Sequence, residues 1–191
     1  MSPWLKLAAT LGAWEAGWYL LHTQPERKRL YEKALAAARA SGKPMLIVGA
    51  PDGDYGCGDP SKGDVVLDLR PAPGCPNAVV GSVEAIPYPT GYFGSTFCSH
   101  VLEHVCDPQR AEDELHRVAD AVFVAWPRPW QVLAYAVPGH TWLMAPKAGQ
   151  AGEPSRFTYT RIRPSSACNV PTRLGLGFAG LGALPSGIVR G

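Results

Sequence analysis

Three short apolar runs constrain this chain more than any other feature. Met45-Leu46-Ile47-Val48, Asp64-Val65-Val66-Leu67-Asp68-Leu69 and Ala121–Trp126 are almost continuously apolar. A strand that is apolar on both sides must be covered on both sides. That is the condition of a parallel strand inside an α/β sheet, not of an antiparallel strand with one wet face. Ala78–Gly81 reads as a short third strand, and Ser95–Ser99 as a further one. Helices fit between and before them. Pro25 to Ala40 has Pro in its first turn, Glu26 at the electropositive end, Leu30, Ala34 and Ala37 on one face, and Gly42 as terminator. Asp107-Pro108 opens another helix, with Asp as cap and Pro in the first helical position. Its buried face is Ala111, Leu115 and Val118. Strands alternating with helices and loops predict an α/β fold with a mostly parallel sheet.

The remaining segments read as connections. Ala50–Gly63 is rich in Gly, Asp and Pro, Pro71–Pro76 is a loop, and Pro127-Arg128-Pro129 stops the last apolar run. Phe157–Arg163 alternates and is a strand candidate. Leu174–Gly191 is Gly-rich and apolar without a period, so it either docks in extended form or stays disordered. With 191 residues the chain suits one domain with extensions. The division predicted is 1–42 as an N-terminal helical extension, 43–145 as the main domain, and 146–191 as a Gly/Pro-rich C-terminal extension.

The N-terminal segment carries Trp4, Ala8, Leu11, Trp14, Trp18 and Leu21 at helical spacing, an aromatic stripe. It lacks the basic start and cleavage site of a secretory signal. Its length approaches the roughly 20 residues of a bilayer span. Lys6 and Glu15 oppose a free crossing, since a charge at mid-membrane costs about 3 kcal/mol. The stripe therefore packs on its own domain, on a partner subunit, or in a membrane interface through residues 4–21. If the segment spans, the run Arg27-Lys28-Arg29 leaves the main domain on the cytoplasmic side. Net charge is +2 with no basic block, so no nucleic-acid partner is expected. The five cysteines are odd in number and form no Cys-x-x-Cys pair. They predict neither a disulfide scaffold nor a thiolate zinc site, and they favour a reducing, cytoplasmic setting, membrane-associated if the first helix meets lipid.

An ordered series of small matches then points to a family. Gly81-Ser82-Val83-Glu84, Ile86-Pro87-Tyr88, Phe93-Gly94 before a strand, Ser99-His100-Val101-Leu102-Glu103-His104, Asp107-Pro108 opening a helix, and Arg117-Val118 ending it follow one another. Residues from about Met45 to Trp130 resemble the S-adenosylmethionine-binding domain of class I methyltransferases of the small-molecule type. The resemblance implies a Rossmann-like methyltransferase sheet and S-adenosylmethionine as cofactor. It implies a glycine turn at Gly49 and Gly53, a ribose-binding acid at Asp68, an adenine-side loop at Ser82, Val83 and Glu84, and a methionine-side loop at Ser99 and His100. The family pattern is half kept. Ile47 stands where the first acid belongs and Pro51 where the middle glycine belongs. Ser82 replaces the adenine-side acid, Gly94 replaces the acid after Phe93, and no Pro-Gly-Gly precedes the last strand. Two readings follow. One is a methyltransferase with an unknown acceptor and unassigned catalytic residues. The other is an inactive methyltransferase fold serving as a structural or assembly subunit, gripping partners with the aromatic helix and the C-terminal tail.

His100-Val101-Leu102-Glu103-His104 also fits the His-x-x-Glu-His pattern of one zinc-protease group. A strand ends immediately before it and Asp107 caps a new helix just after it, which leaves room for about one helical turn where zinc ligation needs a helix face. The methyltransferase resemblance explains the same residues with their flanks, so no metal is expected. Cys98 and Cys106 read as buried thiols. Tyr88, Phe93, Trp126, Trp130 and Trp142 read as core or pocket-lining aromatics.

Overall fold

The computed structural model describes residues 2–49 and 56–164. Gly53 and the tail Leu174–Gly191 lie outside the described residues. Helix α1 is Pro3–Trp18, capped by the Ser2 hydroxyl, which accepts from Leu5 N–H at 3.3 Å. It passes through a π-helical turn, Tyr19–Thr23, into α2, Gln24–Ser41. The two expected helices are thus one helical run with a π insertion. Gly42, at φ 70°, ends it in the left-handed conformation that glycine adopts without steric cost. Leu30, Ala34 and Ala38 form the buried face, with Ala38 taking the place expected of Ala37. Most of α1 stands in solvent: Trp4 is 79% and Trp14 64% exposed. Among the described residues no helix is long and apolar enough to cross a membrane.

Five parallel strands form the sheet: β1 Met45–Val48, β2 Val65–Asp68, β3 Ala78–Val80, β4 Phe93–Ser99 and β5 Ala119–Ala125. Their order is β3-β2-β1-β4-β5. In register, Ile47 lies between Val66 and Phe97. One face, with Met45, Ile47, Val66 and Phe97, is covered by Leu30, Ala34 and Ala38 of α2. The other, with Leu46, Val48 and Leu67, is covered by α3, Pro108–Val118, through Ala111, Leu115 and Val118. Asp107 caps α3 as its sequence indicates, accepting from Arg110 N–H at 3.0 Å. The apolar runs are therefore strands buried from both sides, and the fold is the α/β parallel sheet they imply.

A short helix α4, Val132–Ala136, precedes an antiparallel hairpin of β6, Trp142–Pro146, and β7, Phe157–Arg161. The hairpin lies on both sides of residue 146. Its Met144 and Phe157 join the sheet's own core. Buried Glu112 of α3 pins it, accepting from Phe157 N–H at 2.7 Å and Tyr159 O–H at 2.8 Å.

The cysteine reading requires correction. Cys57 and Cys75 form a disulfide that joins the loop after β1 to the loop after β2, and Cys106 is disulfide-bonded as well. Cys98 is free and buried, and burial pushes its thiol far above the ordinary range. The odd count concealed the pairing because one cysteine belongs to the core.

Candidate functional site

In an open parallel sheet the loops diverge where strand order reverses, leaving a crevice beyond the carboxyl ends. Here the reversal lies between β1 and β4, at Gly49 and His100. A cleft of about 540 Å³ opens there, within the roughly 300–1,000 Å³ range of small-ligand sites. Gly49, Asp68, Ser82, Val83, Glu84 and His100 all line it. Ser99 does not. Its buried hydroxyl points to α2 and accepts from Arg27 Nε at 2.9 Å.

Each lining residue has a local cause. Gly49 has φ 78°, and any Cβ there would collide with the side chain of Val101. Asp68 ends β2, and its Oδ1 accepts from Arg70 N–H at 2.9 Å in a turn of its own making. Oδ2 has no protein partner among the described residues. Ser82 folds the third loop by accepting from Glu84 N–H at 3.1 Å, and Glu84 accepts from Asp107 N–H at 2.8 Å. Arg117 of α3 donates to the carbonyls of Ile86 (2.9 Å) and Tyr88 (2.8 Å), while Glu114 accepts from Ile86 N–H at 2.8 Å. The motif residues Glu84, Asp107 and Arg117 thus act as clamps on the loops that frame the cleft.

His100 has the one left-handed backbone among the non-glycine residues described, at φ 53°. Such strain persists where surroundings over-determine it, and it clusters at functional sites. Its Nδ1 bonds Glu103 Oε1 at 3.1 Å, and Nε2 is buried without a partner. Because a carboxylate only accepts, Nδ1 carries a proton in this bond. His100 also lines a second cavity of about 410 Å³ at the end of β5, with Trp18, Arg27, Trp126, Arg128 and Trp130. Arg128 lies over the Trp126 ring at 3.9 Å and pairs with Glu26.

Glu103 is wholly buried. Burial opposes its charge, but the His100 hydrogen bond and the neighbouring His100 and His104 rings outweigh that and hold its carboxyl below the usual range. His140 approaches from the loop before β6, with Nε2 4.0 Å from Glu103 Oε1. Burial, first among several causes, holds its imidazole below the ordinary histidine range. The segment Val101–His104 is turn, not helix, as its short length implies. His140 stood outside every sequence motif, and only the fold brings it to His104.

A methyltransferase-domain family model matches residues 54–121, a little over a third of the chain. Residues 54–121 are thus similar to a methyltransferase domain. Among solved structures, a SAM-dependent methyltransferase of Thermotoga maritima matches with 19% identity over 57% of this chain and 55% of its own, at a TM-score of 0.37. One from Aquifex aeolicus matches with 17% identity over 62% of this chain and 79% of its own, at 0.37. One from Mesorhizobium loti matches with 17% identity over 70% of this chain and 67% of its own, at 0.33. The chain thus spans about half the length of the Thermotoga structure it matches. A search of curated protein sequences finds no significant match.

The residues fit S-adenosylmethionine at its ribose end. Asp68 has a carboxylate oxygen without a protein partner among the described residues, at a strand terminus beside a cleft of suitable volume. The methionine end departs from the methyltransferase-like pattern. Ile47 is fully buried in the core against α2, and Val101 fills the space over Gly49.

Proposed function

We propose that this methyltransferase-like domain binds S-adenosylmethionine in the 540 Å³ cleft and transfers its methyl group to a small acceptor held in the second cavity. The observation that carries this reading is the position of His100, which lines both cavities. Methyl transfer needs donor and acceptor on two sides of one point, and alignment supplies much of the rate. When bound, S-adenosylmethionine supplies an electrophilic methyl group on its sulfonium. Asp68 accepts hydrogen bonds from the ribose hydroxyls. The loop Ser82–Glu84, clamped by Asp107, borders the adenine side. His100, which borders both cavities, stands between donor and acceptor and bounds the acceptor's position. Trp18, Trp126 and Trp130 give the acceptor an aromatic enclosure.

A second reading has a specific observation in its favour. Trp4, Leu11 and Trp14 of α1 are exposed, and Val101 occupies the room over the glycine turn at Gly49. Both suit an inactive fold that serves as a subunit, with α1 laid against a protein partner or a membrane surface. Formation of S-adenosylhomocysteine across a panel of small hydroxyl, amine and thiol acceptors separates the two. Turnover that Asp68→Ala and His100→Ala both abolish supports the enzyme. No turnover with any acceptor favours the subunit.

A further inference from the structure

We propose that Glu103, His104 and His140 form a binding site for a divalent transition-metal ion of the zinc class. One ligand atom from each lies within 4.8 Å of the others. Zinc bound to nitrogen and oxygen at about 2.0–2.1 Å places its donors roughly 3.3–3.5 Å apart, so closure asks for shifts of about an ångström. The donor set, two imidazoles and a carboxylate, is the borderline kind that zinc takes.

Three independent features point the same way. The first is an orphan: Glu103 is wholly buried, and its Oε2 has no hydrogen-bond partner. An unsatisfied buried carboxylate oxygen is costly, and a cation removes that cost. The second is the tautomer of both rings. His104 Nδ1 bonds the Gly139 carbonyl at 2.9 Å, and His140 Nδ1 bonds the Ala134 carbonyl at 3.1 Å. A carbonyl only accepts, so each Nδ1 carries a proton, and in the neutral ring Nε2 is the atom with the lone pair. Metal-ligating histidines are oriented by this same second bond. The third is rigidity. Thr141 N–H donates to the Glu103 carbonyl at 2.8 Å, and Trp142 Nε1 donates to the Val105 carbonyl at 2.9 Å. Gly139 permits the close approach, since a Cβ there would stand 3.1 Å from His104 Nδ1. The two ligand-bearing loops are therefore fastened before any ion arrives.

Three protein ligands leave a fourth position for water or a ligand atom, the arrangement of open zinc sites. His104 also lines the 540 Å³ cleft, so the site borders it. The inference does not depend on the cofactor reading.

The test is calorimetric titration of the EDTA-treated full chain with zinc, together with cobalt(II) titration read by visible d–d absorption. The expected result is about one ion per chain at micromolar or tighter affinity, with a tetrahedral cobalt spectrum. His104→Ala and His140→Ala each weaken binding by at least about tenfold. Asp68→Ala leaves it unchanged. His104 is only half-buried, so His104→Ala retains the fold and keeps the test valid if His140→Ala does not. Zinc raises the melting temperature of the wild type and not of His104→Ala. Absence of zinc binding up to millimolar concentration in the wild type, or undiminished binding in His104→Ala, overturns the proposal.

Discussion

Arg39, in the last turn of α2, holds Asp64 with both guanidinium nitrogens, at 2.9 and 2.5 Å. The Asp64 side chain is wholly buried, and it also accepts from Met45 N–H and Asp59 N–H, each at 2.8 Å. One carboxylate thus ties the end of α2 to the starts of β1 and β2. Asp64→Ala strands a half-buried guanidinium and two backbone donors. The expected loss is about 3–5 kcal/mol, read by urea denaturation.

The same residue sets an acid limit. Burial opposes its charge, but Arg39 and the two backbone donors outweigh that and hold the carboxyl below the ordinary aspartate range. A carboxyl whose folded pKa is depressed stabilises the fold above its unfolded value and loses that contribution as pH falls through the folded value. Glu153, bonded first by Arg29 and then by Lys33 of α2, behaves likewise with a pKa of about 2. Stability is therefore expected to be flat near neutrality and to fall from about pH 4 downward. In Asp64→Asn the fall is shallower.

Gly94 shows why one acid of the family pattern is missing. A Cβ at this position would stand 2.9 Å from the Ala38 Cα and would collide with Ser41 Oγ. The residue serves the close seating of α2 on β4, not the cleft. Gly94→Ala is expected to cost about 1–3 kcal/mol, as overpacking does. Thermal denaturation measures this.

Reduction of Cys57–Cys75 is expected to destabilise the chain by about 3 kcal/mol, the entropy of releasing a loop of that length. Denaturation of wild type and Cys57→Ser, with and without reductant, checks it. Because Cys106 is disulfide-bonded in both proteins, the reductant acts on both, and its effect on the wild type should exceed that on the variant by about 3 kcal/mol.

The sheet was legible because its strands are apolar on both faces, a pattern few other contexts tolerate. Met45–Val48 is an example: all four residues are buried, against two different layers. Helix α3 was legible from its Asp107-Pro108 start and from the spacing of Ala111, Leu115 and Val118. Strand β6 was not, because Trp142-Leu143-Met144-Ala145-Pro146 buries only Met144 and ends in a proline. The loop clamps were visible as motif letters, and Arg117 and Glu84 hold backbone of the loops that frame the cleft. His140 could not be found from sequence, since nothing local marks it. Only the docking of the β6–β7 hairpin brings it beside Glu103.

Calorimetric titration with S-adenosylmethionine, on the wild type and on Asp68→Ala, tests most directly the proposal that the cleft at Asp68 is a working cofactor site. The expected result is micromolar binding to the wild type. Asp68→Ala should weaken it by about tenfold or more, as loss of charge-assisted hydrogen bonds worth roughly 1.5–3 kcal/mol requires. Folded wild-type protein that binds nothing up to millimolar concentration, or Asp68→Ala protein that binds as the wild type does, contradicts it.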